Sequence, residues 1–137
     1  MLGQLLLHRV VAYKTYTNMP GYDLVATNPA AGKSVKIQVK SRWSTTARGF
    51  AIRNLDCDFV VYVRLNRGNK QGTGVVKPPD YHVLPIRVIK RALSTDKVWG
   101  TRVMNRDVKN LDQYRERWDL IDAALGKAKK KRRGAGA

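Results

Sequence analysis

Apolar residues recur at helical spacing at the start of the chain and alternate with polar residues further along. The helical positions are Leu2, Leu5, Leu6 and Val10. This spacing predicts a short helix from Leu2 to about Val11. The run from Tyr13 to Tyr16 alternates and predicts a strand, and the Asn-Met-Pro-Gly stretch at 18–21 predicts a turn.

The clearest pattern is a β-hairpin between residues 22 and 40. Tyr22 to Thr27 is rich in β-forming residues, and a loop that contains Pro and Gly separates it from Ser34 to Lys40. The second segment alternates strictly, so one face is apolar and the other polar. The polar face carries Lys36, Gln38 and Lys40. We therefore predict two neighbouring antiparallel strands.

The rest of the chain alternates between β-rich segments, loops and helical segments. Predicted strands are Phe50 to Ile52, Phe59 to Leu65 and Tyr81 to Leu84; predicted loops are Ser41 to Gly49 and Asn66 to Pro79; predicted helices are Pro85 to Leu93 and Gln113 to Leu125. Phe59 to Leu65 is nearly continuous in apolar residues, as in a strand buried on both faces. Trp99 and Trp118 are expected in the core. This order predicts an α/β or α+β sheet with helices against it.

Composition limits the architecture and points to a polyanionic partner. The chain has 137 residues and 43% hydrophobic residues, which suit a single domain, residues 1–126, followed by a basic tail, 127–137, that we expect to be disordered. A single cysteine, Cys57, excludes an intrachain disulfide and suits a reducing, intracellular setting. We find no signal peptide or membrane-spanning run, and expect no membrane partner. The net charge of +17 favours nucleic acid as the partner.

Three polar residues of the predicted hairpin form a candidate catalytic site. Asp23 opens the first strand, and Gln38 and Lys40 share a face of the second. Side chains of these types on otherwise apolar strands need a reason, although an exposed sheet face gives the same alternation. A carboxylate and an amide oxygen suit Mg²⁺, which prefers oxygen ligands, and an ammonium group can stabilise a phosphoryl transition state.

The run from Gly21 to Arg42, GYDLVATNPAAGKSVKIQVKSR, resembles the core of the PD-(D/E)XK nuclease superfamily. Gln38-Val39-Lys40 is similar to the variant found in a group-I-intron homing endonuclease and its relatives, in which Gln replaces the acid. The resemblance implies a restriction-endonuclease-like mixed β-sheet core flanked by helices. It also implies an Mg²⁺-dependent DNA endonuclease, with Mn²⁺ as a substitute and a homodimer or larger homo-oligomer as the assembly.

The resemblance assigns roles to individual residues. Asp23 matches the metal-binding Asp, Gln38 the second residue of the metal site and Lys40 the catalytic Lys. Many members of the superfamily also carry a metal-binding Glu on the first helix, where this chain offers Gln4 as the candidate. Two alternatives stay open: a catalytically inactive DNA-binding module with the same fold, and an RNA-binding protein.

A further set of residues is expected to contact nucleic acid through charge or stacking. Its members are Arg42, Trp43, Arg48, Arg64, Arg67, Lys70 and Lys77. Trp43 has an alternative role in covering the edge of the sheet. Cys57 is expected to fill space in the core.

Overall fold

The computed structural model of this protein describes residues 1–14, 22–98 and 100–127. The helices in these ranges are α1 (Leu2–Leu7), α2 (Ile86–Ala92) and α3 (Asp119–Ala124). The strands are β1 (Val11–Lys14), β2 (Leu24–Asn28), β3 (Lys33–Arg42), β4 (Gly49–Ala51), β5 (Phe59–Arg64), β6 (Asp80–Pro85), β7 (Leu93–Asp96) and β8 (Gly100–Met104). Short 3₁₀ helices span Pro29–Ala31, Asn105–Asp107 and Leu111–Tyr114. None of the helices just given is long and apolar enough to cross a bilayer.

The main sheet has five strands in the order β1-β2-β3-β5-β6. β3 and β5 are parallel, and the other neighbouring pairs are antiparallel, so the sheet is mixed. A smaller antiparallel sheet has the order β4-β8-β7. The predicted α/β class, a mixed sheet flanked by helices, is therefore confirmed. The predicted β2–β3 hairpin is also confirmed, with Pro29–Ala31 forming its turn.

Two hydrophobic cores cover the two faces of the main sheet. The first contains Leu5, Ile37, Val61, Trp118 and Ile121, so α1 and α3 cover this face. The second contains Phe50, Val60, Tyr62, Ile89 and Val103, so α2 and the smaller sheet cover the other face. Because successive side chains of β5 enter different cores, this strand is buried on both faces as predicted. Cys57 is buried as a free thiol, and burial, above all, raises its pKa to about 11.

The predicted first helix is too long. α1 ends at Leu7, because Arg9 adopts a left-handed conformation (φ 59°) and Val11 begins β1. Residues 15–21, which include the predicted turn at 18–21, lie outside the described residues.

The predicted helix from Gln113 to Leu125 is interrupted. The chain forms the 3₁₀ helix Leu111–Tyr114 and then extends, because Arg115 pairs with His82 of β6 in an isolated β-bridge. Glu116 is left-handed (φ 53°), and helical structure resumes only at Asp119. Tertiary contacts thus override a local pattern that suits a helix. Trp118 is buried as predicted.

β7 and β8 were not among the strands predicted from the sequence. Each contributes one residue to the second core, Leu93 and Val103, and they face each other across the strand pair. So few apolar positions leave no readable alternation. Trp99, expected in the core, lies outside the described residues, and of the predicted tail only Lys127 is described. Its ammonium group donates a hydrogen bond to the carbonyl of Arg9.

Candidate functional site

The β2–β3 pairing places Asp23 beside Gln38. Leu24 lies opposite Ile37, so Asp23, one residue earlier, lies at the level of Gln38. The N–H of Asp23 donates to the carbonyl of Ile37 at 2.8 Å. A carboxylate oxygen of Asp23 accepts the N–H of Val39, also at 2.8 Å. The Asp23 carboxylate is therefore held against β3 at Val39, the residue between Gln38 and Lys40.

Gln38 is an unsatisfied acceptor at this position. Its residue is only 9% exposed, and its Oε1 atom has no hydrogen-bond partner among the described residues. A buried polar atom that lacks a partner costs about 1–3 kcal/mol. In native proteins a ligand, an ion or a water molecule supplies the missing hydrogen-bond partner of such an atom. Gln38 lies beside Val60 of β5, on the face of the sheet that the second core covers.

Lys40 follows Gln38 on the same face of β3. It is half-buried and lies beside Tyr62 of β5. Val35 and Ile37 point into the first core, so the alternation predicted for β3 is confirmed. The structure thus brings Asp23, Gln38 and Lys40 to one stretch of two paired strands.

Gln4 does not share this side of the sheet. It lies on α1, which packs through Leu5 into the first core together with Ile37. Gln38 faces the opposite side. Within residues 1–14, 22–98 and 100–127, no group of three or more His, Cys, Asp or Glu side chains is arranged to hold a metal ion. The donors that the hairpin offers are the carboxylate of Asp23 and the amide oxygen of Gln38, which fit a hard cation that keeps several waters.

Three of the residues expected to contact nucleic acid line one cleft. These are Arg42, Arg48 and Lys70, and the cleft has a volume of about 540 Å³. Arg102 of β8 also lines the cleft, and no sequence pattern marks this residue because β8 was not predicted. Trp43, next to the cleft, is 50% exposed and has room to stack on a base.

The other predicted contact residues lie outside the cleft lining. Arg67 donates hydrogen bonds to the carbonyls of Leu65 and Lys77, which brace the loop between β5 and β6. Lys77 is exposed in that loop. Arg64 binds Asp80 through both carboxylate oxygens, at 2.9 and 3.1 Å.

Asp80 is the centre of a buried polar network at the start of β6. It is 2% exposed, and it also accepts hydrogen bonds from Asn66 at 3.2 Å and Arg115 at 3.4 Å. Burial raises the pKa of this carboxyl group, but the hydrogen bonds from Arg64 and Asn66 outweigh burial and hold the pKa below its usual value. No sequence pattern marks Asp80, because its partners come from two other segments of the chain, residues 64–66 and Arg115.

His82 is a buried, uncharged member of the same region. It is 0% exposed, and its Nδ1 lies 3.7 Å from a carboxylate oxygen of Asp80. Burial lowers its pKa more than the negative charge of Asp80 raises it, and Arg64 and Arg115 lower it further while Asp112 opposes them weakly. A histidine whose native pKa lies below its unfolded value, about 6.5, binds fewer protons when folded. Its contribution to stability is complete above pH 6.5 and declines as the pH falls below it.

We expect His82→Gln to weaken the loss of stability between pH 7.5 and 5.5. Urea unfolding at both pH values gives the difference in the free energy of unfolding. His8, the other histidine of the chain, is exposed and provides the matched control, His8→Gln. The same pH dependence in His82→Gln as in the wild type would contradict the assignment.

Comparisons with known proteins inform the fold. No protein-family model and no curated protein sequence matches this chain. Among solved structures, the chain is similar to the bacterial homing endonuclease I-Ssp6803I, with a TM-score of 0.54 and 23% sequence identity. The match covers 88% of this chain and 82% of that chain. The protein therefore has a fold similar to that of a homing endonuclease.

Proposed function

We propose that this protein is a DNA endonuclease that depends on Mg²⁺ or Mn²⁺ and uses Asp23, Gln38 and Lys40 as its active site. The observation that carries the proposal is the buried, unpartnered oxygen of Gln38 at the level of Asp23 on the neighbouring strand. The fold similar to a homing endonuclease and the charge of +17 support DNA as the substrate.

Each residue has a distinct role in this proposal. Asp23 and Gln38 would hold the ion, with the Asp23 carboxylate oriented by the N–H of Val39. When bound, the ion supplies positive charge that polarises the phosphate and activates water. The ammonium group of Lys40 neutralises charge that develops on the phosphate oxygens. In the reaction, a water oxygen forms a bond to phosphorus, one ester P–O bond breaks, and the proton from water passes to the departing oxygen by way of solvent.

A second function, a DNA-binding module without catalysis, has one observation in its favour. The hairpin offers a single carboxylate, and the described residues contain no cluster of three ligating side chains. This alternative predicts binding that weakens with salt and no cleavage in either metal.

We expect Gln38→Glu to bind Mn²⁺ about tenfold more tightly than the wild type, because a carboxylate replaces a neutral amide oxygen. Calorimetric titration with Mn²⁺ measures the affinity, and cleavage of plasmid and branched DNA at limiting Mn²⁺ measures the effect on turnover. Gln113→Glu, at an exposed position of the 3₁₀ helix Leu111–Tyr114, is the matched control.

Two results would count against the site. Equal Mn²⁺ affinity in Gln38→Glu and the wild type would remove Gln38 from it. Binding of DNA without cleavage by the wild type in Mg²⁺ and Mn²⁺, and by Gln38→Glu, would favour the non-catalytic module.

A further inference from the structure

The basic cleft is built from segments that are distant in sequence. Its walls are the end of β3, the loop 43–48, the beginning of β4, the tip of the loop between β5 and β6, and β8. Four lining residues are cationic: Arg42, Arg48, Lys70 and Arg102. The lining contains no carboxylate, and its neutral polar members offer hydroxyl and amide groups. A ligand with several anionic oxygens matches this chemistry.

Hydrogen bonds fix the walls of the cleft. Arg42 donates from Nη1 to the carbonyl of Gly49 at 3.1 Å. The N–H of Asn105 donates to the carbonyl of Arg48 at 2.7 Å, and its side-chain amide donates to the carbonyl of Ala47 at 3.0 Å. The site is therefore organised before a ligand arrives, and ordering it costs little.

The two loops that flank the cleft are tied to each other and to the smaller sheet. The N–H of Thr45 donates to the carbonyl of Gly68 at 2.9 Å, and the N–H of Gly68 donates to the Thr45 hydroxyl at 2.8 Å. β4 lies so close to β8 that a Cβ atom at Gly49 would lie 2.2 Å from the carbonyl oxygen of Val103. These contacts hold the two loops together and keep β4 close against β8.

One strand joins the cleft to the proposed active site. Arg42 lies two residues beyond Lys40 and four beyond Gln38 on β3, so it shares their face of the strand. At about 3.3 Å per residue, these separations are about 7 and 13 Å along the strand. Phosphates follow one another every 3.4 Å of helix axis along each strand of DNA. A DNA strand that lies in the cleft therefore continues to the level of Lys40 within a few nucleotides.

From these observations we infer that the cleft binds consecutive phosphates of one DNA strand, next to the phosphate that is cut and without any need for metal. The identity of the polyanion as DNA rests on the proposed function. The site itself rests on the charge and geometry of the cleft. Arg48 and Lys70 are exposed, so substituting them tests the cleft with little effect on folding.

The test measures binding of a fluorescently labelled DNA duplex in EDTA over a series of KCl concentrations. The variant is Arg48→Gln/Lys70→Gln, and the matched control is Lys33→Gln/Lys90→Gln, which removes two exposed cations that do not line the cleft. We expect the slope of log affinity against log salt to become shallower by about two in the cleft variant, since each lost phosphate contact contributes about 0.9. The control should keep the wild-type slope.

Two outcomes overturn the inference. Equal slopes in the cleft variant and the control would mean that the general positive field binds DNA and the cleft does not. Tighter, cleft-dependent binding of an RNA hairpin than of the duplex would replace DNA with RNA as the ligand. Binding in EDTA is measured without cleavage, so the two proposals are tested separately. A protein that shows the expected slopes in EDTA but does not cut DNA in Mg²⁺ would refute the proposed function and leave the cleft site intact.

Discussion

We expect Asp23→Asn to lower the rate of metal-dependent DNA cleavage by about 10³-fold, a loss of roughly 4 kcal/mol of transition-state stabilisation. The asparagine keeps an oxygen that accepts the N–H of Val39, so the local structure survives while the charge that would hold the ion is lost. Lys40→Ala should also lose cleavage. It should keep Mn²⁺ binding, because Lys40 acts on the phosphate and Asp23 on the metal.

The contrast between these two variants separates the roles. Calorimetry with Mn²⁺ and cleavage assays on the same preparations give both quantities. Asp107→Asn, an exposed position in the 3₁₀ helix Asn105–Asp107, provides the control for loss of one carboxylate. Cleavage by Asp23→Asn at the wild-type rate would contradict the proposed metal site. Loss of Mn²⁺ binding in Lys40→Ala would contradict the assignment of Asp23 to the metal and Lys40 to the phosphate.

The largest effect on stability is expected at Asp80. Asp80→Asn should reduce the free energy of unfolding by about 3 kcal/mol or more, because it leaves Arg64 partly buried without its counter-charge. The Arg64 side chain is 20% exposed, and that of Asp80 is 1% exposed. The variant also weakens the contact with Arg115 that holds the chain between the last 3₁₀ helix and α3 against β6.

Urea unfolding measures this loss. Asp119→Asn removes the negative charge from the exposed pair between Arg117 and Asp119, whose side chains are 43% and 63% exposed, and should cost under about 1 kcal/mol. Similar losses in the two variants would show that burial does not make the Asp80 network more stabilising than an exposed ion pair.

The parts of the fold that could be predicted are those in which side-chain pattern and backbone agree. β3 alternates over its whole length, and β5 is apolar enough to need cover on both faces, so both strands could be read from the sequence. Residues 115–117 have a pattern that suits a helix, but they leave it for contacts with β6 that only the tertiary structure reveals.

The candidate site divides in the same way. Asp23 and Gln38 meet because a short hairpin joins their strands, and a hairpin is a local feature. The grouping of Arg42, Arg48 and Lys70 with Arg102 depends on how loops fold back against the smaller sheet. The spacing of these four residues along the chain therefore does not predict that they lie together.

Because β3 carries both the proposed active site and one wall of the cleft, the distance between them does not depend on loop length but would change with an insertion in the strand. Gln38, Lys40 and Arg42 are carried by one continuous segment, so a longer turn at Pro29–Ala31 leaves their separations unchanged. A single residue inserted between Lys33 and Gln38 would instead invert the strand, because its side chains alternate between faces. Insertions and deletions that preserve the site are therefore expected in the turns, and the length of β3 is expected to stay constant.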